Sequence, residues 1–183
     1  MLWHHADLAS SDRAAWDEDD WDEGVEHCLS HILPAGGVGP VLDIGCGPAR
    51  LLAPMITLFP MVEFIGLDVS EAMLDHARTR VDVELIHGSV EDVPAELGGA
   101  YSVVTFQHLP VDLQVEYVVA VGAALTPSGT FVLQWVADGD SGPLSNPVPV
   151  PRMIEWVSAA GLTVEVGKDS RFPTWAWAVA TKS

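Results

Sequence analysis

Basic residues are scarce: eight Lys and Arg stand against 26 Asp and Glu, a formal charge of -18. Such a surface repels phosphate backbones and anionic headgroups, and no Lys/Arg cluster forms a local exception, so nucleic acid is a disfavoured partner. Cysteine is scarcer still. Cys28 and Cys46 are too few for a disulfide framework or a zinc site, and neither belongs to a Cys-x-x-Cys pair, which fits a reducing cytoplasm. The opening MLWHHADLASSD has no basic stretch followed by an apolar run, and no segment approaches the ~20 apolar residues that span a bilayer, so the expectation is a chain neither exported nor membrane-embedded. The histidines form no metal-type spacing; His4 and His5 are adjacent and point apart, and no metal site is expected. Against these absences, 49% of the residues are hydrophobic and only 19% charged, the profile of a packed globule. The 183 residues suit one domain.

What is present alternates. Trp21, Val25, Cys28, Leu29 and Ile32 share one helical stripe, which predicts a leading amphipathic helix over 14–33 that Pro34, Gly36 and Gly37 stop. Apolar runs of strand length follow at 40–45, 62–67, 83–87, 101–106 and 130–136. Helical segments are expected between them at 49–59, 70–80, near 91–97 and at 111–125. Pro54 should kink the first of these or make it start late. Residues 138–151, DGDSGPLSNPVPVP, read as a loop and a candidate lid. A helix at 152–160 closes at Gly161, and strands at 162–167 and 174–181 finish the chain. Strand alternating with helix predicts an α/β fold: a Rossmann-like, mainly parallel seven-stranded sheet with helices on both faces and an antiparallel last strand. The organisation expected is one domain over 1–183, with a leading segment (1–36), a ligand-binding core (37–136) and a closing loop, helix and strand pair (137–183).

The segment Val41-Leu42-Asp43-Ile44-Gly45-Cys46-Gly47-Pro48-Ala49-Arg50 runs from a strand through a turn into a helix. Its glycines let a ligand lie against the main chain at a helix start. A dinucleotide fingerprint needs a small residue where this chain has Arg50, and no Gly-Lys-Ser/Thr follows, which excludes a Walker loop. The next strand ends in Asp68, 21 residues beyond Gly47, where a carboxylate can accept both hydroxyls of a ribose. Ser70 reads as the cap of the helix after it.

DIGCGPA, GLDVSEAML, HGSVEDVP and LTPSGTFVLQW, in this order and spacing, resemble the motifs of the class I S-adenosylmethionine-dependent methyltransferase family, especially its compact small-molecule branch. The resemblance covers roughly residues 35–136. It implies S-adenosyl-L-methionine as cofactor, with Gly45, Cys46 and Gly47 along the methionine moiety and Asp43 orienting its ammonium. It further implies that Asp68 holds the ribose, that Val69 packs on the adenine and that the Ser89–Val90 turn meets its polar edge. Many members of the family carry Asp where this chain has Ser89. Phe106 and Gln107 would lie beside the transferring methyl.

The reaction implied is in-line displacement at the cofactor's methyl by a nucleophile of a small-molecule acceptor, and the charge of -18 tolerates neutral or cationic acceptors. Gln107-His108-Leu109-Pro110 stands where many amino-methylating DNA enzymes have Asn/Asp-Pro-Pro-Tyr/Phe. His108 is the candidate general base if the acceptor keeps its proton. Trp16 and Trp21, flanking the acidic run of the leading segment, are candidate walls of the acceptor pocket. The rival reading is a non-catalytic module or regulatory subunit that binds an adenosyl ligand without turnover; a nicotinamide-dependent reductase is opposed by Arg50.

Overall fold

The computed structural model describes residues 37–139, 145–169 and 172–183. The leading helix expected over 14–33, with Trp16 and Trp21, lies outside them. Seven strands and four α-helices follow in the order β1 (Val41–Ile44), α1 (Leu52–Leu58), β2 (Phe64–Asp68), α2 (Glu71–Ala77), β3 (Glu84–His87), β4 (Leu97–Ser102), α3 (Val111–Ala124), β5 (Leu125–Val136), α4 (Val150–Ala159), β6 (Leu162–Lys168) and β7 (Trp175–Lys182). Single 3₁₀ turns stand at Val90–Asp92 and Phe106–His108. The strand order is β3-β2-β1-β4-β5-β7-β6. Neighbours from β3 to β5 run parallel, while β7 is antiparallel to both β5 and β6. This is the Rossmann-like sheet expected from the alternation.

The two-residue period of the strands divides the core. Leu42 and Ile44 face one cluster with Tyr117, Val118 and Val121 of α3 and Met153, Trp156 and Val157 of α4. Val41 faces the other, with Leu52 and Met55 of α1, Leu74 and Ala77 of α2, and Tyr101. Burying an aliphatic or aromatic side chain on this scale stabilises by about 1.5–3 kcal/mol each, and helices cover the sheet on both sides because both faces are apolar.

Several boundaries differ from expectation. The fourth strand is Leu97–Ser102, not 101–106. Gly98 and Gly99 look like a break, yet they are where the backbone of residues 37–39 crosses the sheet: a Cβ at Gly98 would lie 2.5 Å from the Gly39 carbonyl oxygen. The strand ends early because Val104 takes φ 61°, a left-handed conformation that no strand continues through. The helix expected near 91–97 is only the 3₁₀ turn at Val90–Asp92. The first helix starts at Leu52, so Pro54 falls in its first turn, where a missing N–H leaves no helical bond unmade. α4 begins at Val150 with Pro151 in its first turn, which shortens the preceding loop. β5 begins at Leu125 rather than 130, immediately after α3.

Candidate functional site

Parallel strands leave a crevice at their carboxyl ends where the order reverses, here between β1 and β4. At that edge Gly45 and Gly47 take φ 72° and 51°, and Ala49 takes 61°. The N–H groups of Gly45 and Cys46 both donate to the Leu67 carbonyl, at 2.7 and 3.1 Å, tying the turn to β2. A Cβ at Gly47 would meet nothing within 4 Å, so this glycine opens a cradle instead of filling a gap in the protein. Cys46 is buried, and burial together with the Asp43 and Asp68 charges pushes its thiol well up; a neutral thiol there packs and does not act as a nucleophile.

Asp68 knits the crevice together. Its Oδ2 accepts from the Gly47 N–H and its Oδ1 from the Ser70 N–H, each at 2.8 Å. Burial raises its carboxyl, while the amides of Ser70 and Gly47 pull it down. Ser70 caps α2, its Oγ accepting from Met73 N–H. Val69, next to Asp68, leaves 61% of its surface exposed, an apolar side chain largely open to a ligand. The Val69 carbonyl lies 3.1 Å from His87 Nε2, and His87 Nδ1 lies 3.1 Å from Glu71. Gly88 N–H donates to the Asp68 carbonyl at 3.1 Å. Ser89 N–H then donates to Asp92 at 3.0 Å. Val90 is half-buried against the core. Residues 45–47, 68–70 and 87–90, far apart in sequence, therefore meet at one crevice.

Asp43 lies beneath them at 3% exposure. Burial raises its carboxyl to about 8, the Tyr101 side chain pulls the other way, and the Asp68 charge adds to the rise. Tyr101 is its direct partner in the β1–β4 register. Asp43 Oδ2 is buried without a well-formed hydrogen bond, an acceptor able to take a cationic donor.

Past β4 the expected residues separate. Phe106 is fully buried, its ring 6.1 Å from those of Tyr117 and Phe131; only its main chain can reach a ligand. Its place on a 3₁₀ turn, four residues beyond Ser102, follows from the earlier end of β4. Gln107 is buried, its Nε2 donating to the Val104 carbonyl at 2.7 Å while its Oε1 has no partner among the described residues. His108 is exposed, six residues past the strand instead of two, with its Nε2 3.4 Å from Gln107 Nε2. The proline-rich loop packs on this turn: Asn146 N–H donates to the Gln107 carbonyl at 2.7 Å, and Gln114 Nε2 bonds the carbonyls of Leu109 and Asn146. An open, apolar groove of about 390 Å³ lies beside Val90, lined by Val115 and Val119 of α3, and touches neither the glycine loop nor this turn.

Sequence reasoning missed Thr105, whose side chain fills the space a Cβ on Gly45 would need, 2.3 Å away, and whose Oγ1 lies 3.3 Å from the Gly45 carbonyl. It missed Tyr101 and His87 as well. Tyr101 and His87 touch the site through strand pairing and Thr105 through the turn past β4, and no local spacing announces them. Among the described residues no group of three His, Cys, Asp or Glu could hold a metal, and no helix is long and apolar enough to cross a membrane.

Residues 41–129 match the family model described as a methyltransferase domain. Trans-aconitate 2-methyltransferase of Rhizobium meliloti (strain 1021) is 34% identical over 123 residues, covering 64% of this chain and 46% of that protein. Ubiquinone biosynthesis O-methyltransferase of Xanthomonas axonopodis pv. citri (strain 306) is 32% identical over 116 residues, 60% of this chain and 47% of that one. The chain thus spans about half the length of these relatives. In fold it is similar to Streptomyces venezuelae DesVI (TM-score 0.77, 18% identity, all of both chains). It is also similar to CalS10, an amino pentose methyltransferase from Micromonospora echinaspora solved with S-adenosylmethionine bound (TM-score 0.75, 19% identity, 100% and 99% of the two chains).

Proposed function

Since this chain belongs to the class I S-adenosylmethionine-dependent methyltransferase family, we propose that it binds S-adenosyl-L-methionine in the crevice above β1 and β2 and methylates a small-molecule acceptor. The observation that carries the reading is the Asp68 carboxylate, which bridges Gly47 and Ser70 beside an open glycine cradle. Each of its oxygens keeps a second lone pair for a ribose hydroxyl. The unpaired Asp43 Oδ2 suits the ligand's ammonium, through water or directly, and the exposed Val69 suits one face of the adenine. The Gly88–Val90 segment, anchored to Asp68, offers main-chain and Ser89 groups to the edge of that ring. When bound, the cofactor supplies a methyl already activated by its sulfonium.

The chain's own residues then have a positioning task, which can contribute roughly 7–11 kcal/mol to the barrier reduction. The 3₁₀ turn at Phe106–His108 and the loop held on it by Asn146 stand where an acceptor would be walled. Exposed His108 faces solvent and would be the group to take an acceptor proton. The names of the relatives, for trans-aconitate and for ubiquinone biosynthesis, support a small acceptor, and the charge of -18 argues against a nucleic acid. A cytoplasmic site of action fits the same chemistry. Titration calorimetry with S-adenosylmethionine and S-adenosylhomocysteine tests the first half; binding of neither, alongside binding of a nicotinamide dinucleotide, refutes it. Methyl transfer to a panel of phenols, amines and carboxylic acids tests the second. Binding with no turnover on any acceptor would make the chain a binding module.

A further inference from the structure

Val104 is a β-branched residue at φ 61°, a conformation that persists only where surrounding contacts enforce it. Its N–H donates to Gln134 Oε1 at 3.1 Å, and its carbonyl accepts from Gln107 at 2.7 Å. The next residue is Thr105, seated against Gly45. The turn that covers the glycine loop therefore depends on the direction in which the Gln134 amide points. Gln134 is fully buried near the carboxyl end of β5, and its Nε2 donates to Asp169 Oδ2 at 3.0 Å.

Asp169 lies just past β6, 6% exposed. Two further donors converge on it: Trp177 Nε1 on Oδ2 at 2.8 Å and Phe172 N–H on Oδ1 at 3.1 Å. Three donors meet here, and an ionised carboxylate only accepts. An acceptor-only neighbour forces the NH₂ end of Gln134 toward Asp169 and leaves the carbonyl end for Val104. Were the amide reversed, its oxygen would face a carboxylate and its NH₂ would face the Val104 N–H, and both bonds would be lost.

We propose that Asp169, far from the crevice in sequence, is a positioning residue for the cofactor site: it sets the Gln134 amide and thereby holds the Val104–Thr105 turn over the glycine loop. The ligand half of this rests on the proposed function; the structural half does not. An asparagine at 169 has one uncharged oxygen for these three donors, so its hold on the Gln134 amide weakens.

The test is hydrogen exchange by NMR on the whole chain, with calorimetry using S-adenosylhomocysteine as the probe. In the parent, the Val104 amide should exchange as slowly as amides of the neighbouring sheet. Asp169→Asn should speed that exchange by about tenfold and weaken the probe by about tenfold, equivalent to about 1.4 kcal/mol, while amides of β1 and β2 keep their protection. Gln134→Met, which removes the acceptor at similar size, should do the same and stands in if Asp169→Asn does not fold. A fast Val104 amide in the parent, or unchanged Val104 exchange in a folded Asp169→Asn, overturns the proposal. So does unchanged probe affinity in a variant whose Val104 amide has been released. If the parent binds no probe at all, the cofactor assignment fails, while Val104 exchange still decides the relay.

Discussion

Replacing Asp43 by asparagine probes the electrostatic centre of the crevice. Burial raises the Asp43 carboxyl from 3.8 to about 8, against the pull of Tyr101 and with a small push from Asp68. In the folded chain it therefore keeps a proton that the unfolded chain has released. For an acid raised in this way, stability from the group is full below 3.8 and is lost as pH rises toward about 8, at up to about 1.4 kcal/mol per pH unit. Over the whole window the loss is on the order of 5 kcal/mol. The asparagine variant has no such proton, so its stability relative to the parent should grow by about 2–3 kcal/mol between about pH 5 and about pH 7. Urea unfolding at several pH values measures this, and subtracting the two profiles cancels the carboxylates common to both. A difference that stays flat, or shrinks as pH rises, refutes the assignment of a neutral Asp43. The same proton gives a second readout, since a ligand ammonium settling on Asp43 should expel it. Calorimetric heats for S-adenosylmethionine near neutral pH should vary with the ionisation enthalpy of the buffer in the parent and not in the variant.

Asp68→Ala should weaken S-adenosylhomocysteine by roughly 1.5–3 kcal/mol in calorimetry and, because Gly47 and Ser70 lose their acceptor, lower unfolding stability by about 1–2 kcal/mol; equal affinity in parent and variant counts against the ribose role. Gly45→Ala forces a Cβ to 2.3 Å from Thr105 at φ 72° and should cost about 1–3 kcal/mol in urea unfolding, part of which Gly45→Ala with Thr105→Gly should recover. Trp135→Phe removes the 2.8 Å bond to the Val148 carbonyl. It should destabilise by about 1–3 kcal/mol and loosen the loop on the Phe106–His108 turn, seen as faster exchange of the Asn146 amide; no change there would show that the loop is held elsewhere.

The glycine turn, Asp68 and the cap at Ser70 were legible because each is a local pattern with one physical use: small residues at a strand-to-helix turn, an acid at a strand end, a hydroxyl before a helix. Strand four was misplaced because its two signals point the wrong way. Gly98 and Gly99 weaken the strand pattern yet sit inside the sheet, where a Cβ on Gly98 would collide with Gly39. Val103, Val104 and Thr105 strengthen it yet stand outside, since Gln134 and Gln107 hold Val104 in a left-handed turn. No window of sequence contains both Val104 and the Gln134 that overrides its propensity; they become neighbours only through the β4–β5 pairing. The same holds for Tyr101 beside Asp43, set by the β1–β4 register, and for Thr105 against Gly45, 60 residues away. What the sequence hides is therefore of one kind. The groups proposed to touch the ligand sit in motifs, whereas those that hold the motifs in shape arrive across the sheet, so their identity waits on strand order and register. That is why Asp169, which reaches the crevice through Gln134 and Val104, left no mark in any local pattern, and why its substitution should act on the glycine loop across the sheet.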